Sequence, residues 1–296
     1  MLIGAHVSPA GGLPKAVERG VQLGCRAIQI FNQSPRMWRP TVYREEDVAA
    51  FKEAIADSPI DAVLIHTVYL LNCASDDAEV RSKSLESLTH SLCAGQAIGA
   101  CGVVLHPGSA KIGSVSEAIT RAGQTIARAL SDSEGCELHL ENTAGAGGTL
   151  GRSFDELAAL IEAAGADRRL GVCLDSCHLY ATGFDIRTSQ GMTSVAREAT
   201  RKLGKGVVRS LHLNDSKTAL GANRDRHANI GDGELGEDGC ASFLSTPSFK
   251  DLPCVLETPG GGEGPRAEEI ALAVKLRESG IAARKHPGPG RARASR

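Results

Sequence analysis

Short apolar runs rich in β-branched residues alternate along this chain with longer stretches whose apolar residues recur three and four apart. The runs are Leu2–Val7, Ala27–Phe31, Ala62–His66, Gly102–His106, Glu137–Glu141, Leu170–Asp175, Val207–Leu213 and Pro253–Glu257. Runs of this length suit strands covered on both faces. The intervening periodicity predicts helices, among them Asp76–Ile98, Ser116–Leu130, Phe154–Ala163 and Ala267–Glu278, with Ser116 and Ser153 as N-caps. Eight buried strands, most followed by a helix, predict an α/β fold: a single-domain (β/α)8 TIM barrel over residues 1–282. An open doubly wound sheet would need a glycine-rich dinucleotide loop after its first strand, and His6-Val-Ser-Pro-Ala-Gly-Gly12 matches one poorly.

The polar residues that close these runs carry the chemistry. Six predicted strands end on a residue able to bind metal: His66, His106, Glu141, Asp175, His212 and Glu257. In a barrel those ends share the face on which barrel active sites lie. A lone histidine at a strand end is usually a hydrogen-bonded rim residue; six ligand types in succession strain that explanation. Asp175-Ser-Cys-His178 and Asp225-Arg-His227 add three more, for five His, two Asp and two Glu. Nine N and O ligands exceed one zinc ion's needs and suffice for two or three. His139 and His6 read as satisfied structural histidines, with His6 also placed to orient a ligand. Cys173 and Cys177 read as packing residues.

Composition changes this picture little. With 296 residues, 42% hydrophobic and 23% charged, the chain can bury a large core, and disorder throughout is excluded. No apolar run approaches a membrane span, and the N-terminus lacks the marks of a secretory signal. Nine scattered cysteines, Cys101, Cys173 and Cys254 among them, suggest reduced, buried thiols in a cytoplasmic protein. The net charge of −2 conceals an uneven distribution. Residues 283–296 hold five of the 33 basic residues and no acid; without them 28 bases face 35 acids. This Pro/Gly/Arg-rich tail is expected to be disordered.

Four segments, taken together, resemble the endonuclease IV family of apurinic/apyrimidinic endonucleases (AP endonuclease family 2). They are His66-Thr-Val-Tyr-Leu-Leu-Asn72, Gly171-Val-Cys-Leu-Asp-Ser-Cys-His178, Leu211-His-Leu-Asn-Asp-Ser-Lys217 with Asp225-Arg-His227, and Leu256-Glu-Thr258. The resemblance runs from Ile3 to about Glu269. It implies a TIM barrel carrying three Zn²⁺, with all nine ligand positions filled by the expected residue types. One zinc would be held by His66, His106 and Glu141. A second would be held by Glu141, which bridges, and by Asp175, His212 and Glu257. The third would be held by His178, Asp225 and His227. Three dications would lift the formal charge from −2 to +4, concentrated on one face.

The implied activity is that of a deoxyribonuclease IV in base excision repair: hydrolysis of the phosphodiester 5′ to an abasic site, leaving a 3′-hydroxyl and a 5′-deoxyribose phosphate. Trimming of blocked 3′ ends is implied as well. Glu141, as the bridge, and Glu257, which would position the nucleophile, are the expected catalytic residues. The expected partner is double-stranded DNA containing abasic sites, contacted through Arg36, Tyr69 and Leu70, with Arg226 on a phosphate. Gly231–Gly236 offers a weaker candidate for phosphate contact through backbone amides. No obligate protein partner is inferred, which leaves a monomer as the default. The alternatives are a metal-dependent sugar isomerase on the same barrel, distinguished by metal counting, and a non-catalytic DNA-damage sensor, distinguished by a cleavage assay.

Overall fold

The computed structural model describes residues 1–285. Its strands and helices alternate from the N-terminus: β1 (Leu2–His6), α1 (Leu13–Gln22), β2 (Ala27–Phe31), α2 (Glu45–Ala56), β3 (Ala62–His66), α3 (Ala78–Ile98), β4 (Gly102–Leu105), α4 (Val115–Ser131), β5 (Leu138–Glu141) and α5 (Phe154–Ala163). Then come β6 (Leu170–Asp175), α6 (Ser176–Ala181), α7 (Ser189–Leu203), β7 (Val208–Leu213), β8 (Asp215–Ser216), β9 (His227–Ala228), α8 (Gly236–Leu244), β10 (Pro253–Leu256) and α9 (Ala267–Lys285). Eight strands close into a parallel barrel in the order β1-β2-β3-β4-β5-β6-β7-β10, β10 pairing back onto β1. β8 and β9 stand apart as a two-stranded antiparallel ribbon in the connection after β7.

Side-chain alternation along each strand sorts residues between two cores. One set packs between barrel and helices, with Ile28, Ile30, Ile65, Leu105, Leu140 and Leu174 fully buried. The other faces the barrel interior, where Ala27, Ala62, Leu64, Val104, Cys173 and Val255 form a separate apolar cluster. Two residues beyond Leu64, Val104, Cys173 and Val255 stand His66, His106, Asp175 and Glu257. The same parity that fills the lower barrel therefore aims four polar side chains out of its mouth. In the lower layer the His139 ring lies against Gly102, where a Cβ would come within 2.4 Å of the imidazole, so only glycine fits. His139 is satisfied by Ser210 Oγ at 2.9 Å and Glu137 Oε2 at 3.2 Å.

Helix boundaries follow local chemistry. Ser153 caps α5 by accepting from the Glu156 amide at 3.2 Å. The cap of α4 is Ser114, two residues before the expected Ser116, because Ser114 and Glu117 close a reciprocal capping box. The C-terminal helix also departs from expectation. α9 runs to Lys285, so residues 283–285 are helical where the tail was expected to have begun. Arg284 explains the extension, since its guanidinium donates to Ser245 Oγ at 2.8 Å and Ser242 O at 2.9 Å. The remainder of the expected tail, residues 286–296, lies outside the described residues. All nine cysteines are free; Cys173 and Cys254 are buried, but Cys101 is exposed, because it precedes β4 at the barrel's lower rim. No helix among the described residues is long and apolar enough to cross a membrane.

Candidate metal centre

The barrel mouth gathers all nine predicted ligands into three groups, each with its donor atoms mutually within 4.8 Å. The first is His66, His106 and Glu141; the second is Glu141, Asp175, His212 and Glu257; the third is His178, Asp225 and His227. Glu141, fully buried, is shared. Its Oε2 lies 3.3 Å from His66 Nε2 and 3.0 Å from His106 Nε2, while Oε1 lies 3.2 Å from His212 Nδ1. Glu257 Oε2 is also 3.2 Å from His212 Nδ1. In the third group Asp225 faces His178 Nε2 at 3.2 Å and His227 Nε2 at 3.1 Å. Asp175 Oδ2 stands between the second and third groups, 4.0 Å from His212 Nδ1 and 4.0 Å from His227 Nε2.

Local structure explains these positions. Asp175 ends β6 and is the N-cap of α6, its Oδ1 accepting the His178 amide at 2.7 Å. One helical turn then carries His178 back over the mouth. Asp225 lies in the connection between β8 and β9 and His227 opens β9, and the turn that follows β9 is organised by buried Asp215 on β8. Its carboxylate accepts the amides of Gly231, Gly233, Leu235 and Gly236 at 2.9–3.1 Å. The expectation that Gly231–Gly236 presents amides to phosphate fails here, because these N–H groups are bound internally.

The donor set fits divalent cations. Imidazole and carboxylate ligands suit zinc and its neighbours. His178 Nε2 and His227 Nε2 are buried without a well-directed hydrogen bond, although carboxylate oxygens lie near both. Nitrogen and oxygen that converge on a common point without bonding each other are arranged as ligands of a shared cation. Outer partners hold the remaining ring nitrogens: His66 Nδ1 meets Thr67 O at 2.7 Å, His178 Nδ1 Asn142 O at 2.8 Å, and His227 Nδ1 Glu257 O at 3.4 Å.

Electrostatics point the same way. Burial raises the Glu141 carboxyl, but His106 and His212 outweigh it and hold the group well below its ordinary value. At half-buried Glu257 desolvation again raises the carboxyl, and His212 and His6 outweigh it and bring it down. Burial lowers the imidazoles, yet Asp175 and Asp225 push His178 well up, and Asp225 lifts His227 to about 9. A cation satisfies the same carboxylates and releases the shared protons on binding. Cys177 could join Asp175 and His227 geometrically, but burial pushes its thiol up to about 12, which keeps the weaker ligand form.

Above the centre opens a cleft of about 940 Å³ lined by His6, Phe31, Asn32, Tyr69, Glu257 and Glu263 among others. The 258–265 glycine-rich loop supplies Thr258, Glu263, Gly264 and Pro265 to its wall. Tyr69 is 69% exposed and its ring packs edge-on against Phe31, while Leu70 is half-buried against the core. Arg36 is exposed; Arg226 is exposed and donates to Asp225 O at 2.7 Å. Of the residues that orient the ligands, sequence reasoning offered His6, whose Nδ1 lies 3.5 Å from Glu257 Oε1, and missed Asn214 and Gln29. Asn214 donates to Asp175 Oδ2 at 2.6 Å and accepts the Glu257 amide at 2.9 Å. Gln29, on β2, links His212 to Glu257. The signal was present: a glutamine inside Ala27-Ile-Gln-Ile-Phe31 is costly to bury unless bonded.

A closed parallel barrel with ligand residues at successive strand ends defines a metal-dependent (β/α)8 enzyme. The model of the family described as xylose isomerase-like TIM barrel matches residues 17–278. A protein of Halothermothrix orenii named "Probable endonuclease 4" is 37% identical over 260 residues, covering 88% of this chain and 94% of its own length. The crystal structure of endonuclease IV from Thermus thermophilus superposes with a TM-score of 0.82 at 36% identity, covering 95% of this chain and 99% of that one. The chain belongs to the endonuclease IV family. A D-tagatose 3-epimerase-like protein matches with a TM-score of 0.68 at 18% identity, covering 98% of this chain and all of that one, which shows the shared barrel alone.

Proposed function

We propose that this chain is a zinc-dependent DNA repair endonuclease that hydrolyses the phosphodiester 5′ to an abasic site, leaving a 3′-hydroxyl and a 5′-deoxyribose phosphate. The observation that carries this is three ligand groups joined through one buried carboxylate, Glu141, in a member of the endonuclease IV family. The nine ligands would hold three Zn²⁺ in the grouping described above. When bound, the ions supply Lewis acidity, which gives a nucleophile at neutral pH and stabilises a leaving alkoxide. Six positive charges against four ligand carboxylates leave the mouth electropositive, which suits an anionic phosphodiester.

The chain's own residues do the rest. Glu141 holds two groups at a fixed separation. Glu257, at the cleft wall, orients the attacking water toward phosphorus. Tyr69 presents an exposed ring and Leu70 an apolar flank, a wedge to fill the gap left by an extruded abasic sugar. Extrusion is cheaper there because no base has to be unstacked. Arg36 enters the same gap, and Arg226 neutralises a backbone phosphate. Trimming of blocked 3′ ends uses the same centre. The sugar-isomerase alternative has only the shared barrel behind it.

The test is incision of a labelled duplex with one abasic site, in magnesium-free buffer after brief EDTA exposure. The expected product is a nick 5′ to the site whose 3′ end a polymerase extends. Intact duplex after treatment with fully zinc-loaded protein would overturn the substrate.

A further inference from the structure

A ring nitrogen that binds a metal leaves its partner nitrogen to be fixed by an outer group. For His66, His178 and His227 that group is a backbone carbonyl, which substitution of a side chain does not remove. His212 differs. Its Nε2 meets Gln29 Oε1 at 2.9 Å, and Gln29 has no solvent exposure. The Gln29 amide reaches two further groups: its Nε2 lies 2.7 Å from Glu257 Oε1 and 3.0 Å from His6 Nδ1.

These contacts admit one arrangement of hydrogens. A reversed amide would set its oxygen 2.7 Å from the Glu257 carboxylate, two acceptors in contact. The amide nitrogen therefore faces Glu257 and His6 and donates one hydrogen to each. The amide oxygen faces His212 and can only accept, so His212 carries its proton on Nε2. Nδ1, which faces Glu141 Oε1 and Glu257 Oε2 at 3.2 Å each, is then the nitrogen left for a cation. The same amide engages Glu257 Oε1 and leaves Oε2 turned inward. Two ligands of one group, from β7 and from the end of β10, are thus set by one side chain on β2.

We propose that Gln29 is a positioning residue of the second metal group: it selects the His212 tautomer and the Glu257 carboxylate orientation that together hold one ion. This rests on the zinc-centre reading above. An outer partner of this kind is worth roughly 10–100-fold in metal affinity. The effect centres on the Glu141–Asp175–His212–Glu257 group, because His66, His178 and His227 are held by backbone carbonyls.

The test uses zinc-loaded protein and two variants of similar side-chain length. Gln29→Met removes both arms; Gln29→Glu keeps an acceptor for His212 and loses the donor to Glu257. Zinc affinities are read by competition with a chromophoric chelator, and the His212 tautomer by long-range ¹H–¹⁵N imidazole spectra. Wild type should hold three ions and show His212 protonated on Nε2. Both variants should hold two ions as wild type does and the third roughly 10–100-fold more weakly. Read at a chelator level that has withdrawn the third ion, the Nε2-protonated signature should persist in Gln29→Glu and be lost in Gln29→Met. Should the Met variant not fold, the Glu variant still reports on the Glu257 arm through zinc alone. Unchanged affinity in whichever variant folds, or an unchanged tautomer in Gln29→Met, would overturn the positioning role. A wild type holding fewer than three ions would overturn the zinc centre itself, a distinct failure.

Discussion

Glu141 shows how one side chain can decide a site. Its two oxygens face different histidine groups, and it is fully buried, so solvent cannot compensate for a lost charge. Glu141→Gln keeps the shape and removes the charge. Zinc content and incision rate should both fall, the rate by more than the roughly 100-fold that outer partners cost. Near-normal zinc and rate would exclude the bridge. His139 supplies a test of stability. Burial lowers its pKa from 6.5 against the pull of Glu137. Below about pH 6.5 the unfolded chain therefore binds more protons than the folded one, and stability falls as pH falls toward the folded value. His139→Gln removes this linkage. Urea midpoints measured from about pH 7 to about pH 5 should drop more in wild type than in the variant. Parallel slopes would refute the assignment.

At the scale of elements, the strands were legible because parallel barrel strands are buried on both faces and read as unbroken apolar runs. β2, β3 and β6 have the expected bounds; β1, β4, β5, β7 and β10 are each shorter by a residue at one end. Six ligands were legible because they interrupt those runs at the same end. The β8–β9 ribbon was not, since two-residue strands leave no periodicity and its stabiliser, Asp215, looks like any polar loop residue in Leu211-His-Leu-Asn-Asp-Ser216. Asn214 was missed because its bonds run to Asp175 and Glu257, far away in sequence; Gln29 left a local mark, a lone amide in an apolar run, but its partners are equally far away. Asp215 makes the element testable. Asp215→Ala leaves the amides of Ser216, Gly231, Gly233, Leu235 and Gly236 without their acceptor, the buried ones at a cost of about 1–3 kcal/mol each. The ion held by His178, Asp225 and His227 should be lost first, with the other two retained. Uniform loss of all three, measured by native mass spectrometry, would argue against a local role for the ribbon.

At the scale of the whole molecule, the candidate ligands and the candidate DNA contacts lie on different parts of the fold. Six of the candidate ligands stand at barrel strand ends, while Arg36, Tyr69, Leu70 and Arg226 lie on loops outside the strands, Tyr69 on the cleft wall. Their effects should separate as well. Tyr69→Ala should leave zinc content unchanged and weaken binding of abasic duplex by about 1–3 kcal/mol, the worth of an aromatic contact to nucleic acid. Binding isotherms at fixed salt check this, because phosphate contacts make affinity salt-dependent. The membership in the endonuclease IV family rests on motifs spread along nearly the whole barrel, which is why it was visible before any geometry.

The most direct test of a clustered metal centre as the cutting machinery is incision rate against zinc per chain. Metal is withdrawn stepwise with a chelator, and both quantities are read on the same samples. Incision should collapse while part of the zinc remains bound, because Glu141 and Asp175 tie the groups to one another. A rate unchanged by removal of all the zinc would contradict the account.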